Sequence, residues 1–441
     1  MPEGGEILKR VRRKAGSTLP SGRLRILYLS QYFPPEIGAT QTRGWEMATR
    51  LSRMGHKITV LTEFPNHPGG VIPPSFRRKA CVRSRESGMD VYRLWVFARP
   101  KKTFLTRILF YISYMGMAIL RGLAVREPFD LVFATSPPLF VAVAGRILAW
   151  IRRIPYVMEV RDLWPESAVV LGELSNPKAI GLSEKLESGL YRQASAIVPV
   201  TRGIHNTLLG RGIPGEKLEF IPNGANTKLY RPGPSVKAAT EEMGTGSGSF
   251  VVIYTGLMGL MHGLDFTLDT ARLLMEDPDV RFVFIGDGVR RGPLTARAGR
   301  ESLSNVRFLP AKPEAELPGF LNSAHAGLVT TRAMEFCHGT LPVKMFTYMA
   351  CGLPLLMCVE GEARDIVENS RSGLIMGPEN PGELADAVRW LKKNPKKAAE
   401  MGRRGRSFVE KFYSREGQAR QLEKRLRHAV YADGLKSTES R

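Results

Sequence analysis

The sequence predicts two successive doubly wound α/β domains, each built on a parallel sheet. Short, nearly continuous apolar segments recur along the chain with helical stretches between them, the pattern of parallel strands covered on both faces. That pattern runs once to about residue 225 and then restarts at Phe250. At 441 residues the chain is long enough for two domains of ordinary size.

In the first half, Leu24–Ser30 reads as the opening strand. The loop Gln31-Tyr-Phe-Pro-Pro-Glu-Ile-Gly38 and a helix through Arg53 follow. Lys57–Leu61, Asp130–Thr135, Pro155–Val160 and Ala196–Val200 read as further strands, with helices at Val141–Ile151 and near Arg202–Gly210. Pro222-Asn-Gly224 is a strong turn signal, and Pro232-Gly-Pro234 and Gly244–Ser249 read as linker. The second half starts afresh with Phe250–Thr255, ending in Gly256. Arg281–Ile285 ends in Gly286-Asp-Gly288, and Asn305–Leu309, Ala326–Thr330 and Pro354–Cys358 complete the set. These readings divide the chain into a basic disordered arm (1–22), a first domain (23–225), a second domain (226–405) and a basic C-terminal helix and tail (406–441). Ligands of such sheets bind beyond the strand C-termini, which places the expected site in an interdomain cleft.

The stretch His338–Pro354 reads as a loop opening a short helix. Thr340 is a candidate cap, Pro342 suits the first turn, and Gly352 with Pro354 ends it. Free N–H groups at that start, with Lys344 beside them, make a candidate anion site. An ordinary αβ junction has the same local pattern, so the stretch alone leaves both readings open.

Composition narrows the class. The apolar fraction of 43% is that of a globular protein, but 64 Lys and Arg against 42 Asp and Glu give a net charge of +22. That points to an anionic surface or phosphorylated substrates. Basic residues without a recognition motif argue against a nucleic-acid partner. The four cysteines lack C-x-x-C spacing, which suits free thiols in a reducing cytosol. Basic residues with no apolar run before Leu24 argue against a secretory signal. Phe104–Leu120 is the most apolar run, with Arg107 inside and Arg99, Lys101, Lys102 and Arg121 at its flanks. It suits a helix lying in a membrane interface or a helix buried in the α/β layer, and one helix could do both.

The order of Gln31–Gly38, Thr135-Ser-Pro-Pro138, Glu159-Val-Arg-Asp-Leu-Trp-Pro-Glu-Ser167, Ile221–Gly224, Phe284–Gly288 and Pro342…Gly352 resembles family 4 glycosyltransferases. Within that family it looks most like the branch containing WbuB-type N-acetyl-fucosamine transferases. The resemblance runs from about Leu24 to about Phe412, and Asp162–Ser167 is its most specific block. It implies a GT-B fold, an acceptor-binding first domain and a nucleotide-sugar-binding second domain. It further implies retention of configuration, no metal or other cofactor, and a hexosyltransferase-type activity in surface-polysaccharide assembly. The expected partners are a nucleotide-sugar donor, a saccharide or polyprenyl-linked acceptor and an anionic membrane surface. The expected location is cytoplasmic, peripheral on the inner face of the membrane. A sugar-nucleotide epimerase on the same fold and a non-catalytic sugar-nucleotide or membrane-binding paralogue are the rival readings.

Site residues follow from the motifs. Arg161, Asp162 and Glu166 sit just past a strand end and are candidates for the catalytic set together with Lys344; an Arg161–Asp162 pair bracing a turn is the structural alternative. Trp164 is a candidate platform for the acceptor sugar. Gly38, Gly256, His262, Gly286, Gly339, Thr340, Lys344 and Thr347 are candidates for donor binding. Leu257 stands where relatives often carry an arginine, which shifts the phosphate contacts to Lys344 and the helix start. Thr347 stands where the family keeps a glutamate on the donor ribose, and a hydroxyl cannot hold two vicinal hydroxyls as a carboxylate does. Asp277-Pro-Asp279 matches a metal-holding pattern of a different glycosyltransferase fold, but its place before the strand at Arg281 favours a plain turn.

Overall fold

The computed structural model describes residues 22–439, apart from 37, 67–68, 101–102, 171–173 and 335–338. The expected disordered arm therefore lies almost wholly outside the described residues. The chain forms two compact units: one comprises residues up to Pro199, Leu208–Glu219 and the chain from Ala419, the other Val200–Thr207 and Phe220–Gln418.

The first unit is built from β1 (Arg25–Leu29), α1 (Ala39–Arg53), β2 (Lys57–Glu63), β3 (Cys81–Glu86), β4 (Met89–Leu94), α2 (Phe104–Ala124), β5 (Leu131–Ser136), α3 (Leu139–Arg152), β6 (Tyr156–Val160), α4 (Glu166–Val170), α5 (Pro177–Gln193) and β7 (Ala196–Pro199). Its sheet order is β3-β4-β2-β1-β5-β6-β7, parallel except for the β3–β4 hairpin. The strand order reverses beside β1, the topological switch point of a doubly wound sheet. Every residue of β5 and β6 is buried, which is why these strands read as nearly continuous apolar runs. The hairpin has no counterpart among the predicted strands. Edge strand β3 keeps alternate residues exposed, so charged residues interrupt the pattern, while Ser87 and Gly88 take the positive φ that a two-residue turn requires.

The expected helix at Phe104 is α2, opened by a Thr103–Thr106 capping box. One side is seated on the unit: the Tyr114 hydroxyl donates to the Leu61 carbonyl at 2.8 Å, and Gly122 lies against Leu148 of α3. The rest is open. Only 11% of its most apolar 18-residue window is buried, so the buried-helix reading does not account for its composition. It is long and apolar enough to cross a membrane.

From β7 the chain passes through α6 (Arg202–Gly210) and α7 (Lys237–Met243) into β8 (Phe250–Thr255), α8 (Asp265–Leu273), β9 (Val280–Ile285), α9 (Arg291–Arg300), β10 (Val306–Leu309), α10 (Leu317–Leu321), β11 (Ala326–Thr330), α11 (Val343–Ala350), β12 (Leu355–Cys358), α12 (Glu362–Ser370), β13 (Gly373–Ile375), α13 (Pro381–Lys393), α14 (Pro395–Phe412) and α15 (Arg415–Glu439). The second sheet runs β10-β9-β8-β11-β12-β13, all parallel. Alternate residues of β8 face two separate cores: Val251 and Ile253 join one, Val252 and Tyr254 the other. The segment expected to run as one basic helix and tail from 406 is two helices, and residues from Ala419 onward belong to the first unit. There His56 meets Glu423 at 3.1 Å.

The Asp277 and Asp279 carboxylates are held by Arg389 at 3.0 Å and Lys392 at 2.5 Å, so the pair braces a turn. Among the described residues no group of three or more acidic, His or Cys side chains is placed to hold a metal. Cys81, Cys351 and Cys358 are free thiols, as expected; Cys337 lies outside the described residues.

Candidate functional site

Beyond the C-terminal ends of β8 and β9 the backbone closes into a tight cradle. Gly256 takes φ +115°, a conformation that favours glycine. A Cβ on Gly286 would overlap the Gly256 carbonyl oxygen, and one on Gly288 would overlap backbone atoms of Met258. Backbone bonds from Gly256 to Ile285 (2.9 Å) and from Met258 to Asp287 (2.8 Å) zip the two loops together. Gly288 was missed at the sequence level, although it belongs to the same Gly-x-Gly.

Helix α11 brings Lys344 to this cradle. Its Cε lies an ordinary contact, 3.7 Å, from where a Gly256 Cβ would stand. Its ammonium sits 3.6 Å from the centroid of the Tyr254 ring, a cation–π contact. The Nζ atom is buried and, among the described residues, has no hydrogen-bond partner, although other atoms of the side chain reach solvent. Burial holds its pKa well below the ordinary lysine value. The chain has thus placed a desolvated cation at a glycine cradle with no anion among the described residues to neutralise it. Sequence gave no cue to Tyr254, which reads as a core strand residue.

His262 ends a short 3₁₀ turn on the same side. Its Nδ1 accepts the Gly259 N–H at 3.3 Å, so the neutral ring carries its proton on Nε2. Burial, with Lys344 nearby, pushes its pKa down to about 3. It is a neutral donor at physiological pH.

The start of α11 differs from expectation. The helix begins at Val343 with Pro342 at the N-cap and no side-chain cap, so Thr340 does not cap it. Its end is as predicted: Gly352 takes φ +76°, and Gly352 and Leu353 donate to Met349 and Tyr348 in a Schellman closure. The Thr347 hydroxyl donates to the Lys344 carbonyl at 2.8 Å, one turn back, which engages its only proton within the helix. Gly339 is exposed with open space at its Cα, and its neighbours 335–338, including His338, lie outside the described residues.

In the first unit the loop Gln31–Gly38 is fixed by buried polar groups. Gln31 donates to Glu63 at 2.7 Å, Asn66 bridges Glu63 and Glu36, and Arg93 donates to the Pro34 carbonyl. Gly38 precedes α1 in extended backbone, and a Cβ there would meet only the Gln41 amide.

Past β6 the expected cluster separates. Arg161 turns back: its Nε donates to Glu159 at 2.5 Å and its Nη1 to the Thr40 carbonyl at 3.0 Å. Arg43 holds the other Glu159 oxygen at 2.9 Å, completing a buried Arg–Glu–Arg triad. Burial pushes the Glu159 carboxyl up, but the two guanidiniums outweigh it and hold it below its usual value. The structural alternative, an Arg161–Asp162 pair, does not form; Arg161 pairs with Glu159 instead and positions the β6 end against α1. An acid inside the apolar run Tyr-Val-Met-Glu-Val was the signal for this triad. Glu166 also stands apart: it pairs with Arg211, which reaches Glu187 at 3.0 Å.

Asp162 is left as the distinctive acid. Burial pushes its carboxyl up to about 6, against the pull of the Ser167 hydroxyl and the Leu163 N–H. Nearby, the Trp164 ring meets Phe140 edge-on at 6.4 Å, and Phe140 stacks on Tyr111 of α2 at 6.1 Å. A row of aromatic faces thus runs from the apolar helix to the segment bearing Asp162.

Residues 38–224 match the family described as Glycosyl transferase 4-like domain, and residues 237–408 match Glycosyl transferases group 1. The chain is 23% identical to WcaI of Escherichia coli K12, assigned as a glycosyl transferase of colanic acid biosynthesis, over 75% of this chain and 82% of that one. Its fold is that of sucrose-phosphate synthase from Thermosynechococcus elongatus, with a TM-score of 0.71 at 18% identity over 93% and 100% of the two chains. HepE of Anabaena, solved in complex with UDP and glucose, superposes with a TM-score of 0.68 at 18% identity over 92% and 99%. Two Rossmann-like units, one matching each of these glycosyltransferase families, make the chain a GT-B glycosyltransferase of the family 4 type.

Proposed function

We propose that this glycosyltransferase moves a hexosyl-type sugar from a nucleoside diphosphate to a hydroxyl of a lipid-linked saccharide in cell-surface polysaccharide assembly. It retains anomeric configuration, needs no metal, and belongs to the WbuB-like branch. The observation that carries the reading is Lys344, a buried ammonium with no anion beside it among the described residues, at a glycine cradle and a helix start. A diphosphate supplies the missing charge.

In this reading the second unit holds the donor. Lys344 and the first N–H groups of α11 meet the diphosphate, and Gly256 and Gly286 let backbone approach it. The His262 Nε2–H donates to a phosphate or sugar oxygen. The first unit receives the acceptor: Trp164 offers a ring face to the sugar, and Asp162 orients the attacking hydroxyl. In front-face displacement the acceptor oxygen bonds to the anomeric carbon as the bond to the diphosphate breaks. The hydroxyl proton passes to a departing diphosphate oxygen, so no separate base is needed. Lys344 stabilises the charge that develops on the leaving group.

The open apolar face of α2, with Arg107 within it, supports a peripheral place on an anionic membrane, where a lipid-linked acceptor is found. WcaI acts in colanic acid biosynthesis by its assignment, which agrees with a polysaccharide role. The test is a panel of nucleotide sugars supplied with and without a polyprenyl-diphosphate-linked saccharide. Transfer that depends on the acceptor is expected. Turnover of the nucleotide sugar alone would make the chain an epimerase, and binding without turnover a non-catalytic paralogue.

A further inference from the structure

The first unit contains a cavity of about 630 Å³ at the end of its sheet opposite Asp162. Tyr156, the first residue of β6, and Ser195, just before β7, line it with Arg146, Trp150 and Arg153 from the end of α3. The five residues of β6 lie between this cavity and Arg161, roughly 16 Å at the rise of an extended strand. It is therefore separate from the proposed acceptor position.

Its chemistry is that of an anion site. Neither Arg146 nor Arg153 is paired with a carboxylate among the described residues, and Arg146 is oriented by a 2.6 Å bond to Gln193. Among the described residues the Tyr156 hydroxyl is buried without a hydrogen-bond partner, and burial keeps its proton on, so it is an unused donor. Asp433 is the only acid of the lining among the described residues, and there the two guanidiniums leave the cavity net positive. The rim is apolar. Trp150 is 69% and Ile151 47% exposed, and the Arg152 guanidinium ties this turn to the Gly122 and Val125 carbonyls at the end of α2. Leu120 and Leu123 stand exposed on that same end. A phosphate carrying an alkyl chain would find cations inside and apolar surface at the mouth.

We propose that this cavity binds the phosphate group of a phosphate ester. The full-length chain is titrated with glycerol 3-phosphate and with dihexanoylphosphatidylglycerol, following the rise in Tm. Both probes are expected to raise it equally in wild type and in Lys344→Met, which separates this site from the donor's. Arg146→Ala/Arg153→Ala should weaken the half-maximal response by about tenfold or more. Tyr156→Phe, which keeps the ring, should weaken it severalfold if the double variant fails to fold. Loss of the dihexanoyl response alone in Trp150→Ala identifies a lipid headgroup as the natural source; equal responses identify a soluble phosphate ester. No response of wild type to either probe at about 10 mM, or an unchanged response in the arginine and tyrosine variants, overturns the proposal.

Discussion

Lys344 concentrates the tension between folding and function. A buried ammonium with no carboxylate beside it among the described residues opposes folding, because the unfolded chain binds the proton more readily than the folded one. Stability is thus lost as pH falls through the window between the depressed folded value and the ordinary one. Lys344→Met should raise the Tm of the ligand-free protein, by about 0.5–2 kcal/mol of stability, while donor binding collapses. Asp162 has the opposite sign. Its folded pKa of about 6 lies above the unfolded value, so its cost to stability appears as pH rises from about 4 and is complete above about 6. If it orients the acceptor as a carboxylate, kcat/KM for the acceptor should climb through pH 6, and Asp162→Asn should remove that limb. Thr347→Glu tests the ribose contact. A charge-assisted bond should tighten nucleotide binding by about 1.5–3 kcal/mol, read by calorimetry; no gain would mean that the ribose is held elsewhere. Arg161 behaves differently from all three. Arg161→Ala leaves Glu159 with one cation, and a loss of about 3–5 kcal/mol of stability is expected, whatever happens to turnover.

Elements explain which of these roles were legible in advance. Strands buried on both faces, such as β5, β6, β8 and β11, announce themselves as apolar runs, and the glycines that end β8 and β9 mark the cradle. The β3–β4 hairpin and the three-residue β13 were not legible. One is a half-exposed edge, and the other is fixed by register, with Gly373 lying too close to Leu355 for any Cβ. Side-chain partners were the least legible. Arg43, Arg211 and Tyr254 lie far in sequence from the groups they meet, so spacing could not pair them. Helix α2 was legible as apolar, but only its packing distinguishes an open face from a core face. Leu105→Glu/Ile112→Glu, both at exposed positions, should cut binding to phosphatidylglycerol vesicles at least about tenfold with unchanged Tm.

At the scale of the molecule, the net charge of +22 and the exposed apolar positions of α2 both bear on the proposed membrane partner. Vesicle binding should weaken between low salt and about 0.5 M salt, because screening removes the electrostatic part and leaves the apolar part. The proposed division of labour between units rests on different physics in each. The second unit presents a cation with no anion beside it among the described residues; the first presents aromatic faces and an acid whose pKa burial raises to about 6. The direct measurement is calorimetric titration of wild type and Lys344→Met with a panel of nucleoside diphosphates. Wild type should bind at least one of them, and the variant, fully folded by its Tm, should bind it about 10- to 150-fold more weakly. Equal affinity in the two proteins would contradict the assignment of Lys344 to the donor diphosphate.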